Sequence, residues 1–320
     1  MPSKSYVMKM RTQNFKDISV NLPSVNYNQK IKQGLENLIN SSIDKNKLIE
    51  RELQAYFEQH PSAILGALSG VESNHNIYGN LVISQPQIKD FTGDRKPDFL
   101  VVTYNSLQLF FNFIEIESPN KSIFNGTKVE LHGDFTHAYN QLKQWTANEA
   151  SIKLHCQYLQ DHLFKGNFNE ARKTIKFNYI LVYGHQDQLT QTPSTRSTEL
   201  LNTYFDRNLH FCTYSRVLRD FPGTFGMFSV KRNAEDDTFK AIGMVPFTNY
   251  GSDEWSDFHN VTGKVDVVLQ NPDLTDKQKS KLILQIEELD KKSITEIHKM
   301  VSEEPPSEFG EDLDDLDELI

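Results

Sequence analysis

The chain has 320 residues, 38% of them hydrophobic, with 21 Phe and 12 Tyr, enough for one large domain with appendages or for two domains. Its net charge of −9 comes from the end of the chain, because residues 303–320 hold nine acids and no Lys or Arg, leaving 34 acidic against 34 basic residues elsewhere; an acidic balance of this kind neither excludes nor favours a nucleic-acid ligand. Cys156 and Cys212 have no metal-ligand spacing and read as buried free thiols, and no stretch has the ~20 apolar residues of a membrane helix or the apolar run of a signal peptide, so the chain reads as soluble and cytoplasmic, with no membrane partner.

Residues 1–27 are polar and irregular and read as an arm or edge hairpin. IKQGLENLI places Ile31, Leu35, Leu38 and Ile39 at helical spacing, and SSIDKNK reads as a break. A second helix follows, with Leu48, Ile49, Leu53 and Phe57 as its apolar stripe, Asp44 or a neighbour as its cap, and Pro61 as its stop. Residues 79–89 read as a strand in which Pro86 argues for an edge position or an early end. Two strands occupy 96–117. Residues 134–163 read as one long helix or a broken pair, capped by Asp134 or Thr136, with Ala138, Leu142 and Trp145 inward. KFNYILVYG is the most hydrophobic strand; a helix at STELLNTYF and a strand running into a helix at LHFCTYSRVL complete an α/β unit around a mixed sheet.

Further on, FGMFSV, FKAIGMV and NVTGKVDVVL read as strands. Thr275 caps a long helix or helical hairpin with Leu282, Ile286, Leu289 and Ile297 inward. The tail, after its Pro pair, reads as disordered, though Leu313, Leu316 and Leu319 among acids suit a basic groove on this chain or a partner. The organisation expected is an N-terminal extension (1–50), a core (51–220), a strand and helix region (221–302) and an acidic tail (303–320).

The chemistry concentrates in KPDFLVVTYNSLQLFFNFIEIE. Strand side chains alternate faces, so Phe111, Phe113, Glu115 and Glu117 share one face and Ile114 and Ile116 the other, while Asp98 aligns with Leu100 and Val102. Carboxylates closing such apolar strands are costly unless exposed, paired or bound to a cation. Asp98, Glu115 and Glu117 together are a candidate seat for a hard divalent metal; solvated acids at strand ends are the plainer alternative.

ELQAYFEQHPSAI, KPDFLVV, FNFIEIESPNKSIF, HAYNQLKQW, FNYILVYGHQDQL and LHFCTYSRVL, in this order, resemble the Shedu-type defence nucleases, whose core is a PD-(D/E)xK nuclease. The resemblance covers residues 51–218 and implies a restriction-endonuclease-like α/β core that cuts DNA with Mg²⁺ or Mn²⁺. It implies that Asp98 and Glu115 hold the ion, that Glu52 approaches from the first helix, that His137 and Gln141 face the site, and that the protein is a homo-oligomer. One position departs from the pattern: Glu117 stands where the family has lysine. A third carboxylate there suits a second metal or a general base, and Lys121 or Lys96 is then the candidate replacement cation. The leading expectation is a metal-dependent DNA endonuclease of anti-phage defence. The alternatives are a pseudo-nuclease that binds DNA or a protein without cutting, and an interaction protein working through its tail.

Overall fold

The computed structural model describes residues 24–71, 76–86, 96–105, 107–126, 129–147, 149–163, 173–190, 194–205, 207–222, 227–233, 238–245 and 260–291. The expected N-terminal arm, for the most part, and the acidic tail lie outside the described residues. Helix α1 (Ser24–Lys45) and helix α2 (Glu50–Gln59) are followed by a 3-10 helix, Pro61–Leu68. Then come β1 (Asn76–Ser84), β2 (Phe99–Tyr104) and β3 (Gln108–Ile116), and the helices α3 (Gly133–Thr146) and α4 (Glu149–His162). β4 (Thr174–Val182), the short α5 (Asp187–Thr190), α6 (Ser194–Tyr204), β5 (Leu209–Cys212) and α7 (Tyr214–Arg219) follow. The chain continues through β6 (Met227–Arg232), β7 (Phe239–Val245), β8 (Val261–Thr262), α8 (Lys264–Gln270) and α9 (Asp276–Lys291).

The strands form one mixed eight-stranded sheet in the order β5-β4-β3-β2-β1-β6-β7-β8, so the fold is α/β. β2 is antiparallel to both β1 and β3, whereas β4 and β5 continue parallel to β3. The period-two alternation of β3 and its neighbours divides the core. Leu100, Val102, Phe111, Phe113 and Leu181 meet Phe135, Ala138, Leu142 and Trp145 of α3 and its neighbours on one face. Phe99, Val101, Ile114, Ile116 and Val182 meet Ile31, Leu35, Ile39, Leu53 and Phe57 on the other. Burying these side chains contributes ~1.5–3 kcal/mol apiece, and it fixes the register, since a one-residue slip would exchange the two faces and set each side chain against the core shaped for its neighbour.

Most elements fall where the sequence reading puts them; the differences have local causes. α1 runs through Ser41–Asp44, because Ser42 is buried there with its hydroxyl on the Lys47 carbonyl, and the helix ends only before Asn46, which adopts φ 46. Leu48 is 59% exposed and contributes nothing to the stripe of α2. β1 ends before Pro86 as expected but is not an edge strand: β6 pairs with its other side, and Pro86, beyond the strand, costs the ladder no hydrogen bond. The helical span 134–163 is a broken pair. Its first cap is neither Asp134 nor Thr136 but His132, whose Nδ1 accepts from the Asp134 N–H at 3.3 Å. NVTGKVDVVL is strand only at Val261–Thr262; Gly263 at φ 72 turns the chain into α8, whose Val268 is buried. Thr275 does cap α9, in a reciprocal pair with Gln278.

Candidate functional site

The β2–β3 register pairs Phe99 with Ile114; one residue further along it, Asp98 stands opposite Glu115. Cross-strand neighbours on one face lie ~5 Å apart at Cβ, so the two carboxyls meet at the mouth of the sheet. Asp98 Oδ2 accepts the Ile116 N–H at 2.9 Å, while its own carbonyl accepts from Gln85 N at 2.8 Å. Glu115 is 8% exposed, and its Oε1 takes a short hydrogen bond from Gln141 Nε2 on α3. Its Oε2 is buried without a hydrogen-bond partner.

Two further elements close the site. Ser118, completely buried after β3, accepts the Ile49 N–H at the start of α2 (3.1 Å) and lies 3.3 Å from the Ser42 hydroxyl. This anchors the N-terminus of α2 over the end of β3 and turns Glu50 into the site. Lys121 Nζ is 2.7 Å from Glu50 Oε1 and pairs more closely with Glu117 Oε2. From α7, on the same face of the sheet as α2, Tyr214 Oη donates to the Glu117 carbonyl at 2.6 Å.

The acids are electrostatically coupled. Burial pushes Asp98 up to about 7; the Ile116 N–H pulls against it, and the charges of Glu117 and Glu50 add to it. Burial, then the Asp98 and Glu117 charges, raise Glu115 well above the carboxylate range. Burial also takes Glu117 to about 7 despite Lys121. Burial works to raise Glu50 as well, but hydrogen bonds with Lys121 and Glu117 prevail and hold it below its usual value.

Asp98, Glu115, Glu117 and Gln141 are therefore together. Glu52 is not with them: it is exposed and pairs with Lys47 at 2.6 Å. Residues two apart on a helix differ by ~200°, so once Glu50 faces the site Glu52 must face away. The signal was present in the sequence, since Glu50 shares the phase of Leu53 and Phe57. His137 lies on the exposed side of α3, and Lys96 is exposed. The anchors Ser118 and Tyr214 had no sequence signal, because each acts through a backbone group distant in the chain.

A family model described as Shedu protein SduA, C-terminal, matches residues 47–218, more than half of the chain. The chain belongs to the Shedu family. No curated protein matches it. In this Shedu chain the matched segment begins just before α2 and ends within α7, the two helices that clasp Glu117–Ser118. Among its described residues no three His, Cys, Asp or Glu side chains are grouped to hold a metal ion, and Glu117 is engaged with Lys121. The Asp98–Glu115 pair, with one buried oxygen unpartnered, nonetheless fits an ion such as Mg²⁺, which typically takes one or two carboxylates and completes its shell with water and phosphate. Among the described residues no helix is long and apolar enough to cross a membrane.

Proposed function

We propose that the chain is a metal-dependent DNA endonuclease, hydrolysing phosphodiester bonds in bacterial anti-phage defence. Shedu membership suggests the defence role. The observation that carries the chemistry is the buried, unpartnered Glu115 Oε2 beside a second desolvated carboxylate, Asp98. Two such acids repel one another, and a divalent cation between them relieves both their burial and their repulsion. Mg²⁺ or Mn²⁺ held by Asp98 and Glu115 would supply a more acidic bound water and neutralise charge on the phosphate. Gln141 holds one oxygen of Glu115 and leaves the other for the ion. Glu117, displaced to about 7 by burial, has the proton affinity of a general base or acid near neutral pH.

The test is incubation of supercoiled and linear DNA with the protein in Mg²⁺, Mn²⁺ or EDTA, beside Asp98→Asn and Glu115→Gln. Metal-dependent nicking or cutting absent from both variants is the expected result. Cleavage that survives both substitutions would mean that the site is elsewhere. The second reading, a pseudo-nuclease that binds DNA without cutting, draws on the ion pair that ties Glu117 to Lys121. It predicts DNA retention in a gel-shift assay with no product under any metal.

A further inference from the structure

Four acids, Glu50, Asp98, Glu115 and Glu117, surround the place where a phosphodiester would have to enter, and each one that is ionised repels it. Lys121 is the cation that meets them. Its side chain is 19% exposed and its ammonium contacts Glu117 and Glu50; an ammonium has three donors, so two ion pairs leave one for a further acceptor.

The loop that carries Lys121 is fixed on both sides. The Lys121 N–H closes a turn on the Ser118 carbonyl at 3.2 Å, and Asn120 Nδ2 donates to Asn46 Oδ1 at 3.0 Å. Beyond it, Tyr183 Oη donates to the Ser122 carbonyl and Ile123 N donates to Gln188 Oε1, each at 3.2 Å. The backbone from which the Lys121 side chain springs is thereby fixed although it lies outside any strand.

We propose that Lys121 is the phosphate-receiving cation of this site. Glu50 and Glu117 hold its ammonium in place, and it gives a donor to a non-bridging phosphate oxygen as DNA enters. The event adds a third acceptor to an ammonium that stays paired with Glu50 and Glu117, and no covalent bond is made or broken and no proton moves. It rests on the nuclease reading and gives that reading its substrate-side contact.

Fluorescence anisotropy of a labelled duplex, in EDTA and separately in Ca²⁺, measures affinity against salt concentration for the full chain. The variants are Lys121→Gln, Lys121→Arg and, as a control, Lys153→Gln, which lines a cleft with Thr174 at the far end of β4. One lost phosphate contact lowers the log–log salt slope by about 0.9. That drop is expected in Lys121→Gln alone, with Lys121→Arg keeping the wild-type slope. Thermal melts establish that each variant is folded. A Lys121→Gln slope equal to wild type, with a lowered melting temperature, makes Lys121 a structural clamp and overturns the proposal while leaving the nuclease reading intact. A wild-type protein that binds no duplex in either buffer overturns both.

Discussion

Replacing Asp98 with Asn should stabilise the metal-free protein while abolishing its activity. The amide oxygen of Asn can still accept the Ile116 N–H, so the change keeps that hydrogen bond while it removes the charge and turns an NH2 donor to Glu115. Burial moves this carboxyl from 3.8 to about 7, so ionising it in the folded chain at pH 8 costs up to about 4 kcal/mol more than in the unfolded chain. Relaxation around the charge in the wild type makes ~2 kcal/mol a realistic net gain, or about 3 °C in melting temperature for a chain of this length. Because the folded value lies above the unfolded one, the destabilisation due to Asp98 is absent below about pH 4 and grows as pH rises towards 7. The gap between variant and wild type should therefore be small at pH 4, widen up to pH 7 and stay level above. Calorimetric melts in EDTA across this range measure it, and millimolar Mg²⁺ at pH 8 should raise the wild type alone. A variant less stable than wild type at pH 8, or a gap that does not depend on pH, would refute the account of Asp98 as a desolvated, cation-seeking acid.

Gln141→Leu removes the donor to Glu115 Oε1 and should lower stability in urea by ~1–3 kcal/mol, with weaker Mn²⁺ binding by calorimetry. Glu52→Ala should leave metal binding, cleavage and the melting temperature unchanged, since its exposed pair with Lys47 is screened by solvent, whereas Glu50→Gln should change both binding and cleavage. A Cβ on Gly66 would lie 2.2 Å from the Val217 carbonyl oxygen. Gly66→Ala should therefore cost ~1–3 kcal/mol by denaturant melts and weaken Mn²⁺ binding too, because displacing α7 moves Tyr214 off the Glu117 carbonyl.

The strands and the face of Asp98, Glu115 and Glu117 were legible because period two is strictly local: the apolar residues between them leave one register that buries every side chain. Gln141 came with the family resemblance, paired with His137 one turn earlier; only Gln141 is turned in to meet Glu115, while His137 is exposed. Glu52 misled because a carboxylate near the start of a helix says nothing of rotation; the phase of Leu53 and Phe57 decides it, and the tether from Ser118 to Ile49 enforces it. Pro86 argued for an edge because proline cannot donate to a ladder, yet β1 stops before reaching it, leaving the inner position of the strand open to β6. The valines of NVTGKVDVVL favoured a strand by propensity, and the left-handed Gly263 outweighed them. The hold on Lys121 is spread over Ser118, Asn46, Tyr183 and Gln188, a set that no window of sequence contains.

The strand order gives the boundary of the family-matched segment a physical consequence. That segment stops at Leu218, before the strand that covers β1. In a chain cut there, Leu81–Ser84 would lose their pairing with Phe228–Lys231, and a long apolar strand would face water with its amides and carbonyls open. Such an edge recruits any strand that fits, including its own counterpart on a second molecule. A fragment ending at Leu218 should therefore aggregate or dimerise through β1, whereas one carried on to Val245 keeps that strand inside the sheet. The residues beyond the match thus protect the part within it, whatever else they do.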